Sequence, residues 1–319
     1  MTNRQMTRRL GLSFFIYALS VFAGSLITVP VMDAVFPDAN ELGWLSMLLS
    51  AIPVYLIGVP VFYFFTRNIP DSPPEPGEPF RAGAVVRYAA MGFAVAGVFS
   101  LIGNLLHRPF VNRFDLPENL VEELLTGVEP LAIIVFLVLL APIMEELMFR
   151  RRYLTKALHF GKRNAVLAGG IAFGLAHQNL PQSTYATALG IYWGILYVCH
   201  RSLLLVIILH MIVNLTGSVL TMYILRQNLP VMVLAFLFLL VVFISGLVML
   251  YRQRHELAAV LREEPAHTSQ EIDGDPSGTP DAAVIDEKSP SLMKNGGYIA
   301  YVIFSACMIA LPMVISSYL

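Results

Sequence analysis

Residues 131–150 read LAIIVFLVLLAPIMEELMFR. Fourteen uncharged residues precede Glu145, and the whole stretch, at about 1.5 Å per residue, matches the ~30 Å hydrocarbon of a bilayer. Its apolar residues are continuous rather than alternating, the pattern of a membrane helix and not of a barrel strand. Measured in the same way, further segments lie near residues 10–32, 43–65, 83–105, 164–180, 183–199, 203–225, 231–250 and 298–318. The quoted segment, 130–149, is the fourth in order, and its basic end is expected to run on as helix to about Leu158. The expected fold is therefore all-α, a polytopic transmembrane bundle of about eight or nine membrane helices with a cytoplasmic N-terminus.

Composition points the same way. Of 319 residues, 56% are hydrophobic and only 13% charged, with a mean hydropathy of +0.67. Roughly a quarter of an average soluble domain is charged, so a soluble, nucleic-acid-binding or disordered protein is excluded. The net charge of −1 names no acidic or basic partner. Cys199 and Cys307 both sit in apolar stretches and read as small buried side chains rather than a disulfide framework. The run behind Arg4, Arg8 and Arg9 exceeds a signal-peptide core, so it reads as a retained first helix.

Charge placement sets the topology. With the N-terminus inside, 18 of the 21 Lys and Arg residues fall on the cytoplasmic side, leaving Arg108, Arg113 and Arg226 outside. Residues 68–80 form a Pro-rich cytoplasmic loop in which no chemical motif is evident. The chain divides into N-terminal helices (1–128), a central core (129–222), a further helix (223–252), a disordered cytoplasmic linker (253–297) and a last helix (298–319).

Of the 22 acids, only Glu145 and Glu146 attach to the core of a membrane helix. A carboxylate there is costly unless paired, hydrated or protonated, so its default meaning is functional. Glu146 and Arg150 are four apart, the spacing of a helical ion pair. Glu145 points about 100° away. Pro142 removes a backbone donor and frees a carbonyl, that of Val138 in an α-helix, so the helix is expected to kink or widen beside the acids. Arg151 and Arg152 read as structural and topogenic. Phe173 and His177 are four apart at the end of a segment dense in Gly and Ala, in which Gly170 and Gly174 permit close helix approach. His210 and Asn214 are also four apart.

These three pairs in order resemble the motifs EExxxR, FxxxH and HxxxN of the CPBP family of intramembrane proteases. That family groups type II CAAX prenyl proteases with bacteriocin-processing and bacteriocin-immunity proteins. The resemblance covers roughly residues 129–222. It implies an intramembrane endopeptidase in which Glu145 and His177 polarise water, His210 and Asn214 stabilise the oxyanion, and Arg150 holds Glu146. The substrate would be a membrane-associated protein or peptide, prenylated or carrying a leader, met in the lipid bilayer; no nucleic-acid partner is expected. Glu145, His177 and His210 also fit a zinc site with an open fourth position, and a metal-free glutamate mechanism uses the same residues. The short loops and the absence of an organelle-targeting pattern suggest a prokaryotic plasma membrane.

Depth poses a problem for this assignment. His177 would lie ~20 Å along its helix from the Arg163 end, whereas Glu145 looks much nearer that side. Extension of the fourth helix beyond Arg150 would bring them level. A non-catalytic scaffold, immunity or secretion factor of the same fold is the main alternative. A coupled transporter is disfavoured, because no repeat of halves is visible.

Overall fold

The computed structural model describes residues 1–36, 43–73, 75–114, 116, 127–220, 224, 227–262 and 291–316. Nine helices carry the fold among these residues, with no strand. They are α1 (Asn3–Val35), α2 (Gly43–Thr66), α3 (Ala82–Phe114), α4 (Pro130–Phe160), α5 (Lys162–Leu175), α6 (Leu180–His200), α7 (Leu203–Asn214), α8 (Leu229–Arg262) and α9 (Gly296–Ser316). Six of them, α1 to α4, α8 and α9, are long and apolar enough to cross a membrane. The other three carry or connect the histidine motifs. α6 has the length but is more polar, and it is mostly enclosed by protein, so no lipid-facing apolar surface is required of it. The outer faces meet the opposite demand. On α8, Leu234, Phe236, Phe238 and Val241 are exposed, as expected of side chains facing acyl chains.

Local signals set the ends. The Thr2 hydroxyl accepts from Gln5 N while Gln5 accepts from Thr2 N, a reciprocal cap on α1. Asn179 and Ser202 cap α6 and α7 by accepting from Gln182 N and Leu205 N. Gly161, at φ 90°, makes the turn between α4 and α5, a conformation that favours glycine.

Two sequence expectations change. α8 runs to Arg262, so residues 253–262 are helix rather than the start of a linker. Leu257, Val260 and Leu261 give that segment an apolar face packed against the core. Residues 263–290 of the expected linker lie outside the described residues, and its last stretch, 291–297, is ordered, with Leu292 buried and the final helix starting at Gly296. α5 ends at Leu175, not near residue 180, so His177 sits in the turn beyond its helix. In contrast, α4 does continue past Arg150, as far as Phe160.

That extension resolves the depth problem. Glu145 and His177 each lie sixteen residues from Gly161, so two antiparallel arms bring them to the same level, up to ~24 Å from the turn. Nearer pairs confirm the register. Phe149 and Phe173, twelve residues away on either arm, meet with ring centroids 5.1 Å apart. Tyr153 and Gly169, eight away, touch so closely that a Cβ on Gly169 would lie 3.0 Å from the ring. α6 then packs on α5 through glycines, with a Cβ on Gly170 falling 2.7 Å from Ile191 N.

The N- and C-terminal helices complete the bundle. Phe14 of α1 packs against Phe62, Phe149, Tyr153 and Tyr301 from α2, α4 and α9. Tyr298 and Tyr301 of α9 donate to the Ala168 and Ala172 carbonyls of α5 at 2.8 and 2.7 Å. The Pro-rich segment after α2 is a strap bound across the helix ends. Asp71 pairs with Lys156 at 2.7 Å and Arg151 at 3.2 Å, and Glu75 pairs with Arg201 at 3.0 Å and Lys162 at 3.5 Å. The strap's backbone also joins in, Ser72 N donating to Thr155 O and Glu78 N to Cys199 O.

Candidate active site

α4 is not a regular α-helix. Residues Ile134–Leu140 and Leu147–Leu154 form π-helical turns on either side of the short α-helical stretch Ala141–Glu146. Such widened turns displace side chains and recur at functional sites. The register accounts for Pro142. Ala141 N donates five residues back, to Phe136 O, so the donor missing at Pro142 frees Leu137 O rather than Val138 O. The Asn214 amide nitrogen supplies that bond from α7 at 2.9 Å.

Glu146 is fully buried and held from two sides. Arg150 Nε lies 2.9 Å from one carboxylate oxygen, and His210 Nδ1 donates to the other at 2.9 Å. Arg150 also reaches Gly190 O at 3.4 Å and lies over the Phe173 ring at 4.8 Å. The His210 ring packs on Trp193 with centroids 4.5 Å apart and meets Phe173 edge-on at 5.7 Å. These contacts fix the imidazole so that its other nitrogen, Nε2, lies 3.9 Å from Glu145.

Glu145 is partly open where Glu146 is closed. It lines a cavity of about 260 Å³ together with His177, Phe173 and Gln178. The His177 Nδ1 donates to the Phe173 carbonyl at 3.0 Å, satisfying an acceptor left over at the end of α5. That bond puts the proton on Nδ1 and leaves Nε2 as an acceptor. Gln178 follows at φ 54°, a left-handed residue that turns the chain into α6.

All seven motif residues thus converge, with Phe173 lining the cavity and touching both Arg150 and His210. Glu145 and His177 share the cavity. Glu146, Arg150 and His210 form a buried cluster behind them, and Asn214 ties α7 to the irregular part of α4. Among the described residues no three His, Cys, Asp or Glu side chains come together to hold a metal ion. The set Glu145, His177 and His210 is not such a group in this arrangement, although each imidazole uses Nδ1 on a protein acceptor and keeps Nε2 open. Sequence reasoning did not single out Trp193, or Tyr17 and Tyr55, which also line the cavity. An aromatic residue in an apolar helix carries no periodic signal; only the need of a buried phenol for a partner could have flagged the tyrosines.

Residues 127–216 match the family model described as Type II CAAX prenyl endopeptidase Rce1-like. The match takes in α4 to α7 and every motif residue, and stops short of α1 to α3, α8 and α9. No curated protein and no solved structure matches the chain.

Proposed function

Since residues 127–216 match the type II CAAX prenyl endopeptidase Rce1-like family model, we propose that the chain is a membrane-embedded endopeptidase with Glu145 as general base. The observation that carries this reading is the shared cavity, on which Glu145 is the one carboxylate and His177 presents a free acceptor nitrogen. Water held between them gives one proton to Glu145 as its oxygen attacks the peptide carbonyl. Glu145 then passes that proton to the departing amine, so the acid is regenerated as carboxylate and no charge is left over. The Glu146–Arg150–His210 cluster fixes the helix and holds an imidazole beside Glu145. The oxyanion role implied for His210 would fall to Nε2, since Nδ1 is bonded to Glu146, and that implied for Asn214 would draw on an amide already bonded to Leu137 O.

No step is routed through a metal. The substrate is a membrane-associated peptide, of the prenylated or leader-bearing kind. The N-terminus and the strap face the cytoplasm in this proposal, as the basic residues favour, in a prokaryotic plasma membrane. The test is hydrolysis of a quenched farnesylated CAAX peptide by purified protein in detergent. Glu145→Gln and His177→Ala should each lower kcat by about 10²–10⁴-fold without loss of the folded state, and a zinc chelator should leave the rate unchanged. Full activity in Glu145→Gln would remove Glu145 as the base, whereas an intact cellular phenotype in Glu145→Ala/His177→Ala would favour the scaffold alternative.

A further inference from the structure

The cavity beneath Glu145 and His177 is walled on its far side by helices that the family match does not reach. Tyr17 of α1 and Tyr55 of α2 line it, and both lie outside residues 127–216. Most of the remaining wall is apolar, formed by residues such as Val54, Val59, Met144 and Met148. Apart from Glu145, His177 and Gln178, the two phenols bring the only polar side-chain groups to this space among the described residues. Tyr17 is 7% exposed and Tyr55 half-buried, and neither hydroxyl has a hydrogen-bond partner among the described residues. Buried tyrosines ordinarily find one. The tyrosines of α9 do so, bonding to carbonyls of α5.

The other donors near the site are differently placed. His210 and Asn214 do not line the cavity. His210 spends Nδ1 on Glu146 and holds Nε2 3.9 Å from Glu145, and the Asn214 amide donates to Leu137 O. A carbonyl lying in the cavity would therefore share that space with the two phenols, beside the His210 imidazole. A phenol, with an ordinary pKa of about 10, stays protonated at neutral pH and is a stronger donor where water is excluded.

We propose that Tyr17 and Tyr55 are substrate-contacting residues whose hydroxyls donate to the scissile carbonyl oxygen as it becomes an oxyanion. This rests on the endopeptidase reading above and extends its site to α1 and α2. The chemistry is hydrogen bonding alone: each phenol keeps its proton while the oxygen gains and then loses negative charge. Donors aimed where charge develops act on kcat more than on ground-state binding.

The experiment compares Tyr17→Phe, Tyr55→Phe and the double variant with wild type and Glu145→Gln, using the quenched farnesylated CAAX peptide. The expected result is a fall in kcat of about a hundredfold for at least one single variant, with KM nearly constant and the unfolding midpoint unchanged. The double variant should fall further. 3-Fluorotyrosine at position 55, which keeps the hydroxyl, should restore turnover, whereas a packing role would be served equally by Phe. Wild-type kcat and KM in both Phe variants, with Glu145→Gln inactive, would overturn this inference and leave the endopeptidase reading intact. Loss that tracks a lower unfolding midpoint and is not restored by fluorotyrosine would also overturn it. No difference between Glu145→Gln and wild type would remove the reading and the inference together.

Discussion

Glu146 has no contact with solvent, and its two oxygens are bonded to Arg150 and His210 at 2.9 Å each. The Arg150 contact is an ion pair and the His210 contact a hydrogen bond, and a charge so placed is tolerable only while both partners remain. Arg150→Ala leaves the carboxylate buried with half its compensation, and removal of one partner from such a pair costs about 3–5 kcal/mol. Chemical denaturation in detergent should register a loss of that size, and Arg150→Lys should recover only part of it because one ammonium cannot reproduce the guanidinium's planar reach. Glu145 carries no such burden, so Glu145→Gln should unfold like wild type. Residues at helical spacing were legible in the sequence because their partners lie one turn away: Glu146 with Arg150, Phe173 with His177. Tyr17, Tyr55 and Trp193 were not, because their role depends on helices meeting that are far apart in the chain.

Helices α5 and α6 approach so closely that side chains are excluded between them. A Cβ on Gly174 would fall 2.5 Å from Ser183 O and 2.7 Å from Thr187 N, both backbone atoms that cannot swing aside. Gly174→Val should therefore push α6 away and cost about 1–3 kcal/mol or more. It should also lower peptide hydrolysis, because His177 N donates to Gly174 O and moves with it. The paired readout is an unfolding midpoint and a kcat; a variant stable and fully active would refute the tight-contact account. At this scale the sequence disclosed the apolar runs and the small-residue faces. It disclosed that α4 is irregular near Pro142, but not the π-helical register, so the freed carbonyl was placed at Val138 and belongs to Leu137. An i−4 rule cannot anticipate an i−5 bond when hydrophobic content alone is visible. α5 likewise ends early because His177 takes the Phe173 carbonyl with its side chain, which apolar periodicity does not encode.

Across the whole molecule, the strap joins the end of α2 to the ends of α4, α5 and α6 through acid–base pairs. The sequence reading found no chemistry in residues 68–80, since pairings such as Asp71 with Lys156 span more than eighty positions. Burial pulls the Asp71 carboxyl upward, but hydrogen bonds and charge from Lys156 and Arg151 outweigh it and hold it below its usual value. Glu75 is lowered in the same way, burial opposing while Arg201 and Lys162 prevail. A group depressed in the folded state contributes stability above its unfolded pKa, about 4 for these acids, and loses it as pH falls through the folded value. Protection of the Ser72 and Glu78 amides, relative to their intrinsic exchange at each pH, should thus be high at neutral pH and fall below about pH 4, and Asp71→Asn should lower protection at Ser72 already at neutral pH. A flat profile would show that the strap is held without its charges. The turn at Gly161 imposes a different kind of constraint. Because Glu145 and His177 sit equally far from it, the two arms act as matched rulers. One residue inserted in either arm would slide a catalytic side chain by ~1.5 Å and swing it by about 100°. Substitutions along these arms can be absorbed one at a time, whereas a change in arm length would need an equal change in the other, making spacing a stricter inheritance than composition.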